Sequence, residues 1–206
     1  SNSSNNFNAA VNGSENSYYP MFFGLSDTPT PTATYLAQFA IHEYAHVYQL
    51  SHSVTLDLPY TSWISEGYAQ LIALIIGSQK SYLTFNTEMV TSFSTIREVS
   101  DNSTIFTAAP YATGTWALAY LMNKVNTANS CSSNCSVGLE ALKTYLKTAG
   151  ASGDSATSFQ STFGLSLTDF KTEASAFLLA MDYSSGSSTE ASAWLTTFYN
   201  SLPTSL

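Results

Sequence analysis

Basic residues are scarce in this chain: six lysines and arginines stand among 206 residues, against fourteen acidic ones. Lys80, Arg97, Lys124, Lys143, Lys147 and Lys171 are scattered, so there is no basic patch for a phosphate backbone and nucleic acid is not an expected partner. The same scarcity argues against an anionic membrane surface. Long apolar runs are missing too. A stretch such as Leu71–Ile76 is far too short to span a bilayer, and no membrane insertion is expected. Cysteine is nearly absent. Cys131 and Cys135, spaced CSSNC among polar residues, read as a small disulfide loop, with free thiols as the alternative. No His or further Cys lies near them to make a metal site. Charge of either sign is low, 10% of residues where about 25% is usual, so Ser, Thr, Asn and Tyr must supply the polar surface. A hydrophobic share of 44% still supports a packed globule, and the length suits one domain.

The chain opens SNSSNN, with no initiator Met and no charged-then-apolar leader pattern. Asn-x-Ser/Thr acceptor sites occur at Asn2, Asn12, Asn102 and Asn134, the pattern of a glycoprotein. Together with the cysteine pair they suggest a secreted, extracellular protein.

Residues 1–17 are polar and low in complexity and are expected to be a flexible segment, with 18–206 forming a single domain. Tyr18–Ser26 (YYPMFFGLS) alone reads as a strand, and Pro20 makes it an edge. Thr28–Thr32, with two prolines, is a rigid connector leading to a helix cap. From there the apolar spacing is helical. Helices are predicted over Thr34–Leu50, from Ser62 to about Ile76 with Gly77 as its stop, and over 80–98, 110–126, 137–149, 154–163, 167–183 and 188–201. Gly150, Gly164 and Gly186 are the expected stops among the later ones. The fold class is mainly α, with at most a short N-terminal β segment.

His42-Glu43-Tyr44-Ala45-His46 is HExxH inside the clearest helical pattern. Residues four apart share a helix face, their β-carbons about 5–6 Å apart, so two imidazoles can converge on one ion. Glu43, rotated by roughly 100°, lies beside that ion and can take a proton from water. A catalytic zinc needs a third protein ligand and an open position. Glu66, one turn inside the second helix, would return to the first if the two run antiparallel. His52, beyond the helix, reads as a surface residue in a polar loop.

HEYAH followed by Trp63-Ile64-Ser65-Glu66-Gly67-Tyr68-Ala69 resembles the gluzincin metallopeptidases, in particular the catalytic core of the aminopeptidase N and leukotriene A4 hydrolase group and its minimal peptidase MA-like relatives. The resemblance covers roughly Ala33 to Leu179, and only the zinc motifs in it are specific. It implies a zincin-like helical catalytic domain holding Zn2+ through His42, His46 and Glu66, with Glu43 as general base. The gap of nineteen residues between His46 and Glu66 is one longer than usual in that family. Pro110-Tyr111-Ala112-Thr113-Gly114 resembles the family's P-Y-x-x-G helix start, which would make Tyr111 the oxyanion stabiliser. The chain also departs from the family. It lacks the Gly-x-Met-Glu-Asn segment that binds a substrate amine, so exopeptidase specificity is not carried over. Gln70 stands where thermolysin-like members have the Asp that orients a zinc-bound His.

The expected function is a secreted zinc endopeptidase acting on protein or peptide substrates. A different class remains open: an extracellular structural or binding protein of the surface-layer or appendage type, self-assembling on an inactive scaffold. The low-charge surface motivates that alternative.

Overall fold

A computed structural model of the chain describes residues 9–11, 21–23, 32–53, 60–99, 101–181 and 189–205. It is mainly α, as the periodicity predicts. Two three-residue strands, β1 (Ala9–Val11) and β2 (Met21–Phe23), pair antiparallel with Ala10 opposite Phe22. β2 lies inside the predicted strand; β1 falls in the polar stretch where none was expected, and it packs against the first helix. The helices are α1 (Ala33–Ser51), α2 (Ser62–Gln79), α3 (Phe85–Arg97), α4 (Ile105–Ala108), α5 (Pro110–Ala128), α6 (Val137–Ser152), α7 (Ser155–Phe163), α8 (Leu167–Ala180) and α9 (Thr189–Ser201). A 3₁₀ turn over Asn102–Thr104 precedes α4. No described helix is long and apolar enough to cross a membrane.

Local chemistry sets several of these starts. Thr32 accepts the Tyr35 N–H, Asp154 the Thr157 N–H and Ser166 the Asp169 N–H, each satisfying a donor the helix leaves open. Pro110 opens α5, where its fixed φ suits a first turn and its missing N–H costs nothing. Among the stops, Gly164 takes the left-handed conformation expected of it. Gly77 and Gly150 do not terminate their helices. α2 runs on to Gln79 and α6 to Ser152, where Gly153 makes the left-handed cap. A Cβ on Gly77 would sit 2.9 Å from the Leu83 side chain, and one on Gly150 would sit 2.5 Å from the His52 carbonyl oxygen. Both glycines are contact points inside a helix. Gly186 lies outside the described residues.

α2 is apolar nearly all round, and such a helix belongs in the middle of a fold. Ala69, Leu71, Ala73, Leu74 and Ile75 have no exposed surface. Each large aliphatic among them contributes roughly 1.5–3 kcal/mol of burial. α1 and α5 pack against α2, α3 packs between α5 and α9, and α6 and α8 pack against α5 with α7 joining them. Trp116 on α5 is fully buried and donates its indole N–H to the Met89 carbonyl at 3.0 Å. Cys131 and Cys135 are joined as a disulfide between α5 and α6, so the free-thiol alternative falls away. The Cys135 N–H donates to the Ser201 carbonyl at 2.6 Å, which fastens that loop to the end of α9.

The tightest approach is between α2 and α5. A Cβ on Gly67 would lie 2.4 Å from the Gly114 backbone, and one on Gly114 would lie 1.9 Å from the Trp63 carbonyl oxygen. Neither obstacle is a flexible side chain, so the helices themselves must shift to admit a methyl group. Gly114→Ala is therefore expected to destabilise the fold by about 1–3 kcal/mol or more, despite alanine's better helix propensity. Urea unfolding of the variant checks this; an unchanged or higher midpoint would mean that the two backbones do not meet there.

Candidate metal centre

α1 is unusual in what it buries. His42, Glu43 and Gln49 are on its buried side with Ala45 and Leu50, so a helix face that ordinarily carries hydrophobic residues here carries polar ones. Buried polar groups need partners, and α2 provides them. Glu66, one turn into α2, comes back to α1 as the antiparallel reading requires. The His42 Nε2, His46 Nε2 and Glu66 Oε2 atoms form a triangle with all three sides 3.2 Å. Among the described residues this is the one group of at least three His, Cys, Asp or Glu side chains placed to share an ion.

The outer hydrogen bonds decide what the triangle is for. His46 Nδ1 lies 2.8 Å from Gln49 Oε1, and His42 Nδ1 lies 3.2 Å from Gln70 Oε1. An amide oxygen only accepts, so each Nδ1 is the ring nitrogen that carries hydrogen. In the neutral rings both Nε2 atoms are then bare lone pairs. With the Glu66 carboxylate they make three acceptors facing one point and no donor among them. Such a cluster is a receptor for positive charge.

Its dimensions suit a metal ion. A tetrahedral zinc with bonds of about 2.0–2.1 Å keeps its ligands about 3.3–3.4 Å apart, and the observed sides are within about 0.2 Å of that. Three protein donors is the number found in catalytic zinc sites, whereas structural sites have four. The donor set therefore fits a divalent metal with imidazole and carboxylate preference. Protons feel the same attraction. Burial alone would raise the Glu66 carboxyl, but the two imidazoles beside it outweigh that and hold it down at about 2. Burial disfavours the charged form of His46, yet Glu66, Gln49 and the charge of Glu43 together raise its pKa above the ordinary 6.5.

Two further side chains border the centre. Glu43 is 7% exposed, and its charge reaches both His46 and Tyr111. Among the described residues no hydrogen bond occupies its carboxylate. Tyr111, in the first turn of α5, stacks on the His42 ring with centroids 5.9 Å apart and planes 20° from parallel. Burial first, then the charges of Glu66 and Glu43, push its hydroxyl up to about 12, so it stays protonated and can donate.

The chain matches no family model, no curated protein and no solved structure. What supports a reading of this centre is thus its own donor set and geometry.

Each site residue read from the sequence lies at or beside the centre: His42, His46 and Glu66 form it, Gln70 contacts His42, and Glu43 and Tyr111 flank it. Cys131 and Cys135 are not part of the cluster. His52 differs from its expectation as a surface loop residue. It caps the C-terminus of α1, is half-buried, packs at a tilt against the Tyr48 ring and shares a 2.8 Å hydrogen bond between its Nδ1 and the Tyr48 carbonyl. Gln49 escaped the sequence reading, although its position one turn beyond His46 was the available signal.

Protons and metal compete for the same Nε2 atoms. Metal affinity, measured by competition with a chromophoric chelator, is expected to be flat above the raised His46 pKa. Below it, affinity should fall by up to tenfold per pH unit for each imidazole being protonated. Affinity that does not change with pH through the mildly acidic range would show that the imidazoles are not ligands.

Proposed function

We propose that this chain is a zinc-dependent peptidase of the gluzincin type, cleaving internal peptide bonds of extended protein segments outside the cell. The observation that carries the reading is the triangle of two imidazole nitrogens and one carboxylate oxygen, all 3.2 Å apart, with the buried carboxylate of Glu43 in the same helical turn. A zinc ion held by His42, His46 and Glu66 would supply Lewis acidity toward a carbonyl and lower the pKa of water toward about 7. Glu43 takes the proton of the attacking water and passes it to the departing amine. Tyr111, protonated at neutral pH, donates its hydroxyl hydrogen to the oxygen that becomes negative as the carbonyl is attacked. Gln70 holds His42 with Nε2 turned inward, as a weaker substitute for the carboxylate often found in that position.

Mode and place of action follow from related observations. The segment that binds a substrate amine in aminopeptidases is missing, which favours internal cleavage. The β1–β2 ribbon packs against the helix that carries HExxH, and an extended substrate can pair with the edge of such a ribbon. The disulfide suits an oxidising compartment, and with the glycosylation signals it favours secretion.

Protein purified without chelators should contain about one equivalent of zinc and should cleave an unstructured protein such as casein. Glu43→Gln is expected to keep the metal and lose roughly 10²–10⁴-fold in kcat. Tyr111→Phe should lose about 10²–10³-fold with little change in KM. Undiminished turnover by the Glu43 variant would refute this mechanism. Polymers containing neither metal nor activity would instead support a structural role.

A further inference from the structure

Gln49 has no exposed surface and is the most deeply buried polar side chain in contact with the centre. A buried amide must find partners for an oxygen with two lone pairs and a nitrogen with two hydrogens. The oxygen accepts from His46 Nδ1 at 2.8 Å and from Ser65 Oγ at 3.1 Å, while the nitrogen donates to the Ser65 carbonyl at 3.1 Å. One side chain on α1 thus grips a ligand on its own helix and, on α2, the residue immediately before another ligand, Glu66.

We propose that Gln49 is a positioning residue for the metal centre, fixing the tautomer of His46 and holding α1 at bonding distance from the turn of α2 that carries Glu66. This rests on reading His42, His46 and Glu66 as a metal site. The residue type follows from the two tasks. His46 Nδ1 needs an acceptor, the Ser65 carbonyl offers a second lone pair beside its helix bond, and only an amide serves both from one planar group of this length. A glutamate would set a carboxylate oxygen against the Ser65 carbonyl, and a leucine or methionine would leave His46 Nδ1 with only the Ser65 hydroxyl, 3.5 Å away. The committed nitrogen also prevents the amide from turning its donor toward His46, so the hydrogen stays on Nδ1 and the Nε2 lone pair stays inward. Gln70 reaches the other way, from α2 to His42 on α1. Two neutral amides therefore lace the two ligand-bearing helices together from opposite sides.

The test uses the full chain with Gln49→Met, and Gln49→Leu as a second variant should the first not fold. Zn2+ affinity by chelator competition is expected to fall 10–100-fold. Long-range 1H–15N correlation spectra of the metal-free protein should show His46 protonated on Nδ1 in the wild type and mixed between its nitrogens in the variant, with His42 unchanged. Leu146→Ala, a core truncation in α6 away from the centre, controls for general destabilisation and should bind Zn2+ as the wild type does. Zinc affinity within twofold of wild type in a folded Gln49 variant would overturn the proposal. So would an equal loss in the Leu146 control, or a wild-type His46 protonated on Nε2. Wild-type protein that binds no Zn2+ at all would defeat the metal-site reading instead, and the tautomer measurement would still decide what Gln49 does.

Discussion

Two glycines at one helix crossing govern where everything else can be. Packed helices ordinarily keep their axes 8–10 Å apart, roughly, because side chains fill the gap. At Gly67 and Gly114 there is nothing to fill it, and the backbones of α2 and α5 come within reach of each other. Gly67 directly follows Glu66, and Gly114 comes three residues after Tyr111. The close approach thereby sets the first turn of α5 beside the ligand-bearing turn of α2, and Tyr111 comes to lie flat against His42. A side chain at either glycine would lever the helices apart and draw the phenol away from the centre. The glycine in each of the two segments that resemble gluzincin motifs thus has a packing reason in this fold.

The centre is costly for the helix that carries it. A buried polar group without a partner costs about 1–3 kcal/mol, and α1 turns two imidazole-bearing residues, a carboxylate and an amide toward the protein interior. Gln70 and Gln49 relieve part of this by accepting from the outer nitrogens of the rings, and Ser65 by bonding the Gln49 amide. The convergence of three acceptors on one point remains unfavourable until something positive sits there. α2 offsets the cost with an almost continuous apolar surface, which explains why the most hydrophobic helix stands next to the most polar buried face.

The helices were legible because their signals are local: apolar residues at spacings of three and four, a Thr, Asp or Ser before the first turn, a proline at the start of α5. HExxH was legible for the same reason, since one helix fixes the mutual placement of His42, Glu43 and His46 without help from the rest of the chain. What was misread depends on contacts distant in sequence. Gly77 and Gly150 look like stops until Leu83 and the His52 carbonyl are seen against them. Gln49 looks like one more polar residue until Ser65 appears opposite it. The 3₁₀ turn and α4 span too few residues to show a period, and the same is true of β1. Glu66 lies between these cases. Its helix was legible, but its return to α1 depended on the antiparallel pairing that the structure displays.

The chemistry of this chain is also unevenly spread. Every side chain at the centre lies between residues 42 and 111, on α1, α2 and the first turn of α5. Helices α6 to α9, about a third of the polypeptide, place no described group there and pack as scaffolding against α1, α3 and α5. Substitutions in that last third would thus be felt as changes in how long the protein endures, whereas those on α1, α2 and the start of α5 reach the core and the cluster together. Natural variation beyond residue 136 can then tune durability while leaving the cluster itself untouched.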